Sequence, residues 1–374
     1  MTATEPAGPT AEPRDEVDPA RLEQLLGTVI VDVGGALSTP LVLLGDRLGL
    51  FRAMAGGDAM NATDLAAAAG GLAERYVREW LLTMAAAGYV THLAGEPGAE
   101  DPATARYRLG PEQRAAFTDP DSPAYVAGAF QNLTAATRML DRLTGAFRSG
   151  AGIGWHEQHE DMFEGTERFF RPGYLAHLTE SWIPALDGVP DRLRAGARAA
   201  DVGCGLGAST IIMARAYPAT RWTGFDYHRP SIELARARAA EAGGLDNLTF
   251  EVALAEELGR GYDFVTFFDC LHDMPDPVGA LRTARAALAD DGVVMLVEPM
   301  GWDTVGEALN PLGRLLAGAS LMVCLPSGLS GPPAAGMGNQ SGPARTCEVA
   351  GQAGFGTARV ATSTPFNLVY ELRP

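Results

Sequence analysis

Lysine is absent from this 374-residue chain: all 29 basic residues are arginine. A lysine Schiff base, a catalytic lysine and a Walker A loop are therefore excluded, since each depends on the ammonium group. Cysteine is scarce, with only Cys204, Cys270, Cys324 and Cys347. No two of them lie at metal-motif spacing, so no metal site is expected. They are also too sparse for a disulfide scaffold, and reduced thiols in a cytoplasm are the simplest expectation. Positive charge is short overall: 46 acidic residues against 29 basic ones leave a net charge of -17. Such a surface repels phosphate backbones and anionic lipid, so neither a nucleic-acid nor a membrane partner is expected. Long uninterrupted apolar runs are missing too. The longest, Thr28 to Leu50, is broken by Asp and Gly, and no membrane span is expected from it. Residues 1–17 lack the cationic start and apolar core of a signal peptide; their acidic, Pro/Ala-rich composition reads as a disordered tail.

What remains is a globular chain, 47% hydrophobic and long enough for two domains or more. Residues 18–118 read as mainly helical. Pro19-Ala-Arg-Leu-Glu-Gln-Leu-Leu opens one helix, and Gly34 to Phe51 reads as a second, ending at Gly49. Asn61 with Asp64 three residues on is an N-cap signature, and Gly70-Gly71 a stop. Tyr76, Trp80, Leu81 and Met84 recur at helical spacing on one face. Gly88-Tyr-Val-Thr and Ala105-Arg-Tyr-Arg-Leu then read as two short strands around a turn. The candidate recognition helix, Leu72 to Ala85, balances two arginines with two glutamates, so it offers DNA no basic excess.

Residues 119–195 read as connecting helices and elements around a substrate site. They include Trp155-His-Glu-Gln-His-Glu-Asp-Met-Phe-Glu, whose acids and histidines read first as a solvated helix face, and Arg168 and Arg171, which pair with acids or bind a substrate carboxylate. From residue 196 the character changes to strands alternating with helices, the signature of a parallel sheet with crossover helices. The strand Arg198 to Val202 runs into Gly203-Cys-Gly205-Leu-Gly207, and a helix begins within that run. Glycines let the backbone approach a ligand, and the helix N-terminus adds free N–H groups. Positions 203, 205 and 208 fit a dinucleotide fingerprint; Asp201 with Gly203, Gly205 and Gly207 fits a loop for S-adenosylmethionine. Asp226, ending the next strand, is placed to hold ribose hydroxyls in either case. Asp201 before the first glycine, the motif's position in the last half of the chain, and a closing hairpin (Ala358 to Thr362, Asn367 to Leu372) favour the second reading.

On these residues, and on Tyr262-Asp-Phe-Val-Thr-Phe-Phe-Asp-Cys-Leu-His-Asp-Met-Pro-Asp-Pro, residues 196–374 resemble a class I S-adenosylmethionine-dependent methyltransferase. The helix–helix–helix–wing pattern before them resembles the winged-helix domain in front of many small-molecule O-methyltransferases. The resemblance implies an α/β Rossmann-like sheet with an antiparallel last strand, S-adenosylmethionine as cofactor, a homodimer formed through the N-terminal domain, and methylation of a hydroxyl or amine on a small organic molecule. It implies that Gly203 and Gly205 contact the methionine part, Asp226 the ribose and Tyr227 the adenine. Asp269 and Cys270 would lie near the sulfonium. The family's Asp–Ala pair beside the adenine is Ala253-Leu254-Ala255 here, so backbone at Leu254 and Ala255, or Glu256, would serve instead. His272 would be the general base, with Asp273 orienting it and Glu298 behind; a histidine near its ordinary pKa suits the removal of a proton from the acceptor. Residues 318–342 read as a loop able to fold over substrate, with Asn339 and Gln340 as polar contacts. The fold's reuse for elimination or cyclisation, and a cofactor-sensing winged-helix regulator, are the alternative functions.

Overall fold

The computed structural model describes residues 17–374, so the tail read at residues 1–17 falls, but for Val17, outside the described residues. The chain opens with α1 (Pro19–Arg47), capped by the Asp18 carboxylate, which accepts from the N–H groups of Ala20 and Arg21. The sequence suggests two helices here, but one continuous helix forms. Gly34 and Gly35 stay helical, the Ser38 and Thr39 hydroxyls donate to their carbonyls, and the helix continues through Pro40. The stop comes at Gly49, in the left-handed conformation (φ 72°).

Next come α2 (Leu50–Ala53), α3 (Ala62–Ala68) and α4 (Glu74–Ala86), followed by the two-residue strands β1 (Thr91–His92) and β2 (Tyr107–Arg108). The wing is thus shorter than its sequence suggests. Asn61 caps α3 through the Asp64 N–H, and Trp80, Leu81 and Met84 of α4 are buried against Val42, Phe51 and Leu65. Tyr76 is exposed instead. On the outer face of α4, Arg75 pairs with Glu79 and Arg78 with Glu74, so its two arginines are neutralised.

The connecting segment holds α5 (Pro111–Phe117), α6 (Ala127–Thr137), α7 (Leu140–Ser149), a 3-10 turn (Trp155–Glu157), α8 (Glu160–His177), a π-helical turn (Leu178–Trp182) and α9 (Val189–Ala195). The main sheet then runs β3 (Arg198–Val202), α10 (Ala208–Ala216), β4 (Arg221–Asp226), α11 (Arg229–Glu241), β5 (Leu248–Val252), β6 (Tyr262–Phe268), α12 (Pro277–Ala287) and β7 (Leu288–Pro299). Helices α13 (Val305–Ala308), α14 (Pro311–Ala319), α15 (Leu325–Gly328) and α16 (Pro343–Gln352) lead to the hairpin β8 (Thr357–Ser363) and β9 (Asn367–Arg373). Residues 318–342 are thus not one loop. Ser320–Cys324 forms a π-helical turn between α14 and α15, and only the remainder is irregular.

The strand order is β5-β4-β3-β6-β7-β9-β8. The first five are parallel, and β9 lies antiparallel to both β7 and β8. The order reverses between β3 and β6. In open α/β sheets the crevice at the carboxyl ends of two such strands is where ligands bind. The two sheet faces are buried separately, one under α12 and α16, the other under the residue 174–193 helices and α10.

Helices α6 and α8 cross at glycine. A Cβ on Gly128 would stand 2.4 Å from the Phe169 nitrogen and 2.8 Å from the Gly165 oxygen, both backbone atoms unable to yield. We expect Gly128→Val to splay this pair and to cost about 1–3 kcal/mol, read as a fall in Tm; an unchanged Tm would show that the crossing does not depend on the glycine.

Candidate active site

The loop after β3 turns through three glycines with positive φ: Gly203 at 70°, Gly205 at 52° and Gly207 at 85°. A Cβ on Gly203 would meet the Cys270 sulfur at 2.7 Å, and one on Gly207 would meet Phe250 at 2.7 Å. At Gly205 it would meet nothing within 4 Å, so that position faces open space. Asp201 lies one layer below the loop. Its carboxylate is fully buried and accepts from Ser209 (2.7 Å), Thr210 (2.6 Å) and Thr266 (2.9 Å). The expectation of a direct cofactor contact is corrected here, because hydroxyls of α10 and β6 already take its oxygens. Burial pushes this carboxyl up to about 6 despite the three donors.

Asp226 ends β4 at the rim of the crevice. It accepts from the Gly205 N–H (3.0 Å) and the His228 N–H (2.8 Å), one on each oxygen, leaving lone pairs for a ligand. Tyr227 follows, with its hydroxyl accepting from the His156 N–H at 3.2 Å. Phe163 stacks on His228, with ring centroids 4.4 Å apart, and Glu167 pairs with Arg238. The 155–167 segment therefore closes over this edge of the crevice. Leu254 and Ala255 stand at the entrance to a 3-10 turn after β5; Leu254 is half exposed, and its N–H is taken by Glu257.

Across the crevice, Asp269 follows β6 with φ 49°, a strained backbone for a non-glycine residue and a common mark of functional positions. Tyr174 donates to one of its oxygens (2.8 Å) and Asn367 to the other (2.9 Å). Burial first, then the charge of Glu298, pushes Asp269 up to about 8. Neither Tyr174 nor Asn367 stands out in the sequence, since an aromatic on a helix and an asparagine at a hairpin are ordinary there. The Cys270 sulfur donates to the Val202 oxygen.

Residues 271–273 form a single 3-10 turn at the carboxyl end of β6. His272 is buried at 3% exposure and sits between two acids. Its Nδ1 meets the Glu298 carboxylate at the end of β7, and its Nε2 lies 3.2 Å from Asp273 Oδ1. Burial alone would lower the imidazole pKa, but Glu298 and Asp273 outweigh it and raise it well above the usual histidine range. The orienting partner is thus Glu298, 26 residues away, with Asp273 on the far nitrogen. Ala135, Ala136 and Met162 are buried in an apolar cluster with Trp155, Met322 and Val323, the last of them next to Cys324 in the chain. Asn339 is buried, and its N–H donates to Ser320.

The histidines of the 155–164 patch do not converge. His156 turns to Tyr227, while His159 caps α8 and meets Arg138. Asp161 is not solvated either: it is nearly buried, paired with Arg47 and Arg138. Arg168 is committed to Asp46, Gln131 and Tyr125, and Arg171 to Asp121.

A glycine loop at the switch point of a seven-stranded sheet closed by an antiparallel hairpin defines the class I methyltransferase fold. Residues 193–316 match the family described as "Methyltransferase domain", and residues 36–119 the "Rv2258c-like winged HTH domain"; the chain is a winged helix-turn-helix domain joined to a methyltransferase domain. Among curated proteins it is similar to 27-O-demethylrifamycin SV methyltransferase of Amycolatopsis mediterranei, 34% identical over 131 residues, 33% of this chain and 48% of that one. The chain spans about half the length of the curated relatives it matches. The fold is shared nearly end to end with mitomycin 7-O-methyltransferase (TM-score 0.67, 20% identity, 96% of this chain and 100% of that one). It is shared equally with human N-acetylserotonin methyltransferase, solved in complex with S-adenosylmethionine (TM-score 0.71, 15% identity, 96% and 99%).

The residues fit that cofactor. Asp226, Asp269, Asp273 and Glu298 crowd one crevice, and among the described residues no arginine hydrogen-bonds or ion-pairs with any of them. A crowd of buried carboxyls with no guanidinium to answer it, each made more acidic by an incoming cation, suits a ligand carrying a sulfonium and an ammonium and disfavours the pyrophosphate of a dinucleotide.

Asp201 titrates higher folded than unfolded, so its contribution to stability is present below about pH 4 and is lost as pH rises to about 6. We expect wild type to lose up to about 3 kcal/mol relative to Asp201→Asn across that window, at roughly 1.4 kcal/mol per unit, and nothing further above it. Urea unfolding at several pH values measures the gap; a gap constant with pH would contradict the assignment.

Proposed function

We propose that the protein transfers a methyl group from S-adenosylmethionine to a hydroxyl of a small organic molecule. The observation that carries this reading is the group of acids beside the Gly203–Gly207 loop that, among the described residues, no arginine pairs with, within a matched methyltransferase domain. The names of the rifamycin and mitomycin relatives support oxygen as the acceptor and secondary metabolism as the setting. Four free cysteines accord with a reducing cytoplasm.

The cofactor would bring a methyl group activated by a sulfonium leaving group. Asp226 holds the ribose hydroxyls, with Gly205 fixing one of its oxygens. The open face of Gly205 lets the backbone approach the methionine part. Asp269, set by Tyr174 and Asn367, faces the cationic end; Tyr227, Leu254 and Ala255 flank the adenine. The 155–163 segment excludes water from the crevice. The apolar cluster of Ala135, Ala136, Met162 and Met322 orients an organic acceptor. His272, held by Glu298, takes the proton that the acceptor hydroxyl loses once the imidazole has given up its own, so turnover rises with pH.

The protein acts as a homodimer. Leu22, Leu25, Leu26, Val29, Ile30 and Leu37 of α1 are exposed. The helix is long and apolar enough to cross a membrane by length and composition alone. Asp32, paired with Arg314 of α14, sets a charge midway along it, which hydrocarbon tolerates poorly and a second copy of the chain accepts.

Thermal shift tests the cofactor. S-adenosylmethionine and S-adenosylhomocysteine should each raise Tm, by about 2.7 kcal/mol of stabilisation at 100 times Kd, and NAD should not. A shift with NAD alone would sink the reading. Asp226→Ala should weaken cofactor binding about 10–100-fold, the loss of charged hydrogen bonds worth roughly 1.5–3 kcal/mol. With an acceptor in hand, the product should gain one methyl group, and His272→Ala should keep cofactor affinity while losing at least about 100-fold in kcat; near-full turnover would remove the base role. Light scattering should give twice the chain mass, and a monomer that partitions onto vesicles would overturn the dimer.

A further inference from the structure

Cys324 is not required by the reaction above, yet it stands beside the base. It ends the π-helical turn after α14, and its sulfur, a nitrogen of His272 and an oxygen of Asp273 all lie within 4.8 Å of one another. All three donors are held by backbone on both sides. The 271–273 turn is fixed to the following strap by the Gly338 N–H, which donates to the His272 carbonyl. The chain just past Cys324 is fixed by the Pro326 carbonyl, which accepts from Ile153.

We propose that His272, Asp273 and Cys324 form a binding site for a divalent transition-metal ion of the zinc type. Four features support this. The donor set is one nitrogen, one carboxylate oxygen and one sulfur, a borderline-soft combination that selects zinc or cobalt over magnesium and calcium. Donors on a tetrahedral zinc stand about 3.3–3.7 Å apart, given bonds of about 2.0–2.3 Å. His272 Nε2 and Asp273 Oδ1 are already 3.2 Å apart, and the sulfur lies within 4.8 Å of the other two donors. Asp273 Oδ1 is moreover buried and makes no well-formed hydrogen bond, its near neighbours being the other two members of the set, His272 Nε2 and the Cys324 thiol. Finally, the opposite nitrogen of His272 is held by the Glu298 carboxylate. A carboxylate behind a histidine fixes the tautomer that leaves Nε2 free for a metal, the arrangement found behind metal-ligating histidines.

On binding, the Cys324 S–H and His272 Nε2–H bonds break, a sulfur–metal and a nitrogen–metal bond form, and two protons leave to solvent; nothing is oxidised or reduced. The metal takes the lone pair of His272 Nε2, so a filled site has no base for the acceptor's proton. The ligand set stands apart from the methyl-transfer reading; only this inhibitory consequence rests on it.

Cobalt(II) added to the full-length reduced protein is the test. Wild type should develop a thiolate-to-cobalt charge-transfer band, bleached by added zinc. Cys324→Ser should lose that band while keeping its thermal shift with S-adenosylmethionine, and Cys347→Ser should retain the band. Asp273→Asn, which leaves the thiol in place, should weaken cobalt binding about 10–100-fold. No band in wild type, or a band that survives Cys324→Ser, overturns the site. Zinc should also lower wild-type turnover at least tenfold, reversibly with a chelator, and spare Cys324→Ser. A cobalt band without that inhibition supports the site and counts against His272 as the base, which separates the two readings.

Discussion

The Asp201 carboxylate ties together the three elements that make the crevice. It ends the first parallel strand, and its oxygens collect hydroxyls from the first turn of the following helix and from the neighbouring strand β6. A carboxylate without solvent is costly unless each oxygen is satisfied. Here the satisfaction is possible only when the glycine loop folds back so that α10 starts above it. The left-handed glycines allow that path, and Phe250 and Cys270 fill the space that their missing side chains leave. Gly205, Asp226 and Asp269 take up their places around the crevice as a result.

Much of this was legible in the chain itself. The alternating strands and helices, the closing hairpin and the loop at residues 203–207 are local patterns, and the elements fall within a few residues of their expected bounds. His272 and Asp226 stand at strand ends, where the parallel topology gathers side chains whatever lies between. What local pattern does not carry is pairing across distance. Glu298 is legible as a residue behind His272, but its bond to Nδ1 exists only once β7 is laid beside β6. Tyr174 and Asn367 become partners of Asp269 only when α8 and the last hairpin pack on one crevice. The same holds for Cys324, 51 positions beyond Asp273 in the sequence.

Local reading misplaced α1 for a different reason. Two glycines and a proline are statistical breakers, but each acts through a specific deficit: lost backbone entropy or a missing donor. The helix runs through Pro40 with that one donor missing, and nothing at Gly34 or Gly35 requires a left-handed turn. Asp201 was misassigned through the opposite error, a motif residue taken for a ligand contact when burial had already committed it to the protein.

The closure of residues 155–167 over β4 and α11 has a kinetic corollary. His156 on Tyr227, Phe163 on His228 and Glu167 on Arg238 form a seam along one edge of the crevice, while Met162 and Trp155 of the same segment belong to the apolar cluster with Ala135 and Ala136. A single segment therefore joins the crevice edge to that apolar cluster. Under the proposed methyl transfer, any opening that admits the cofactor along this edge also disturbs the cluster, which couples the loading of the two substrates.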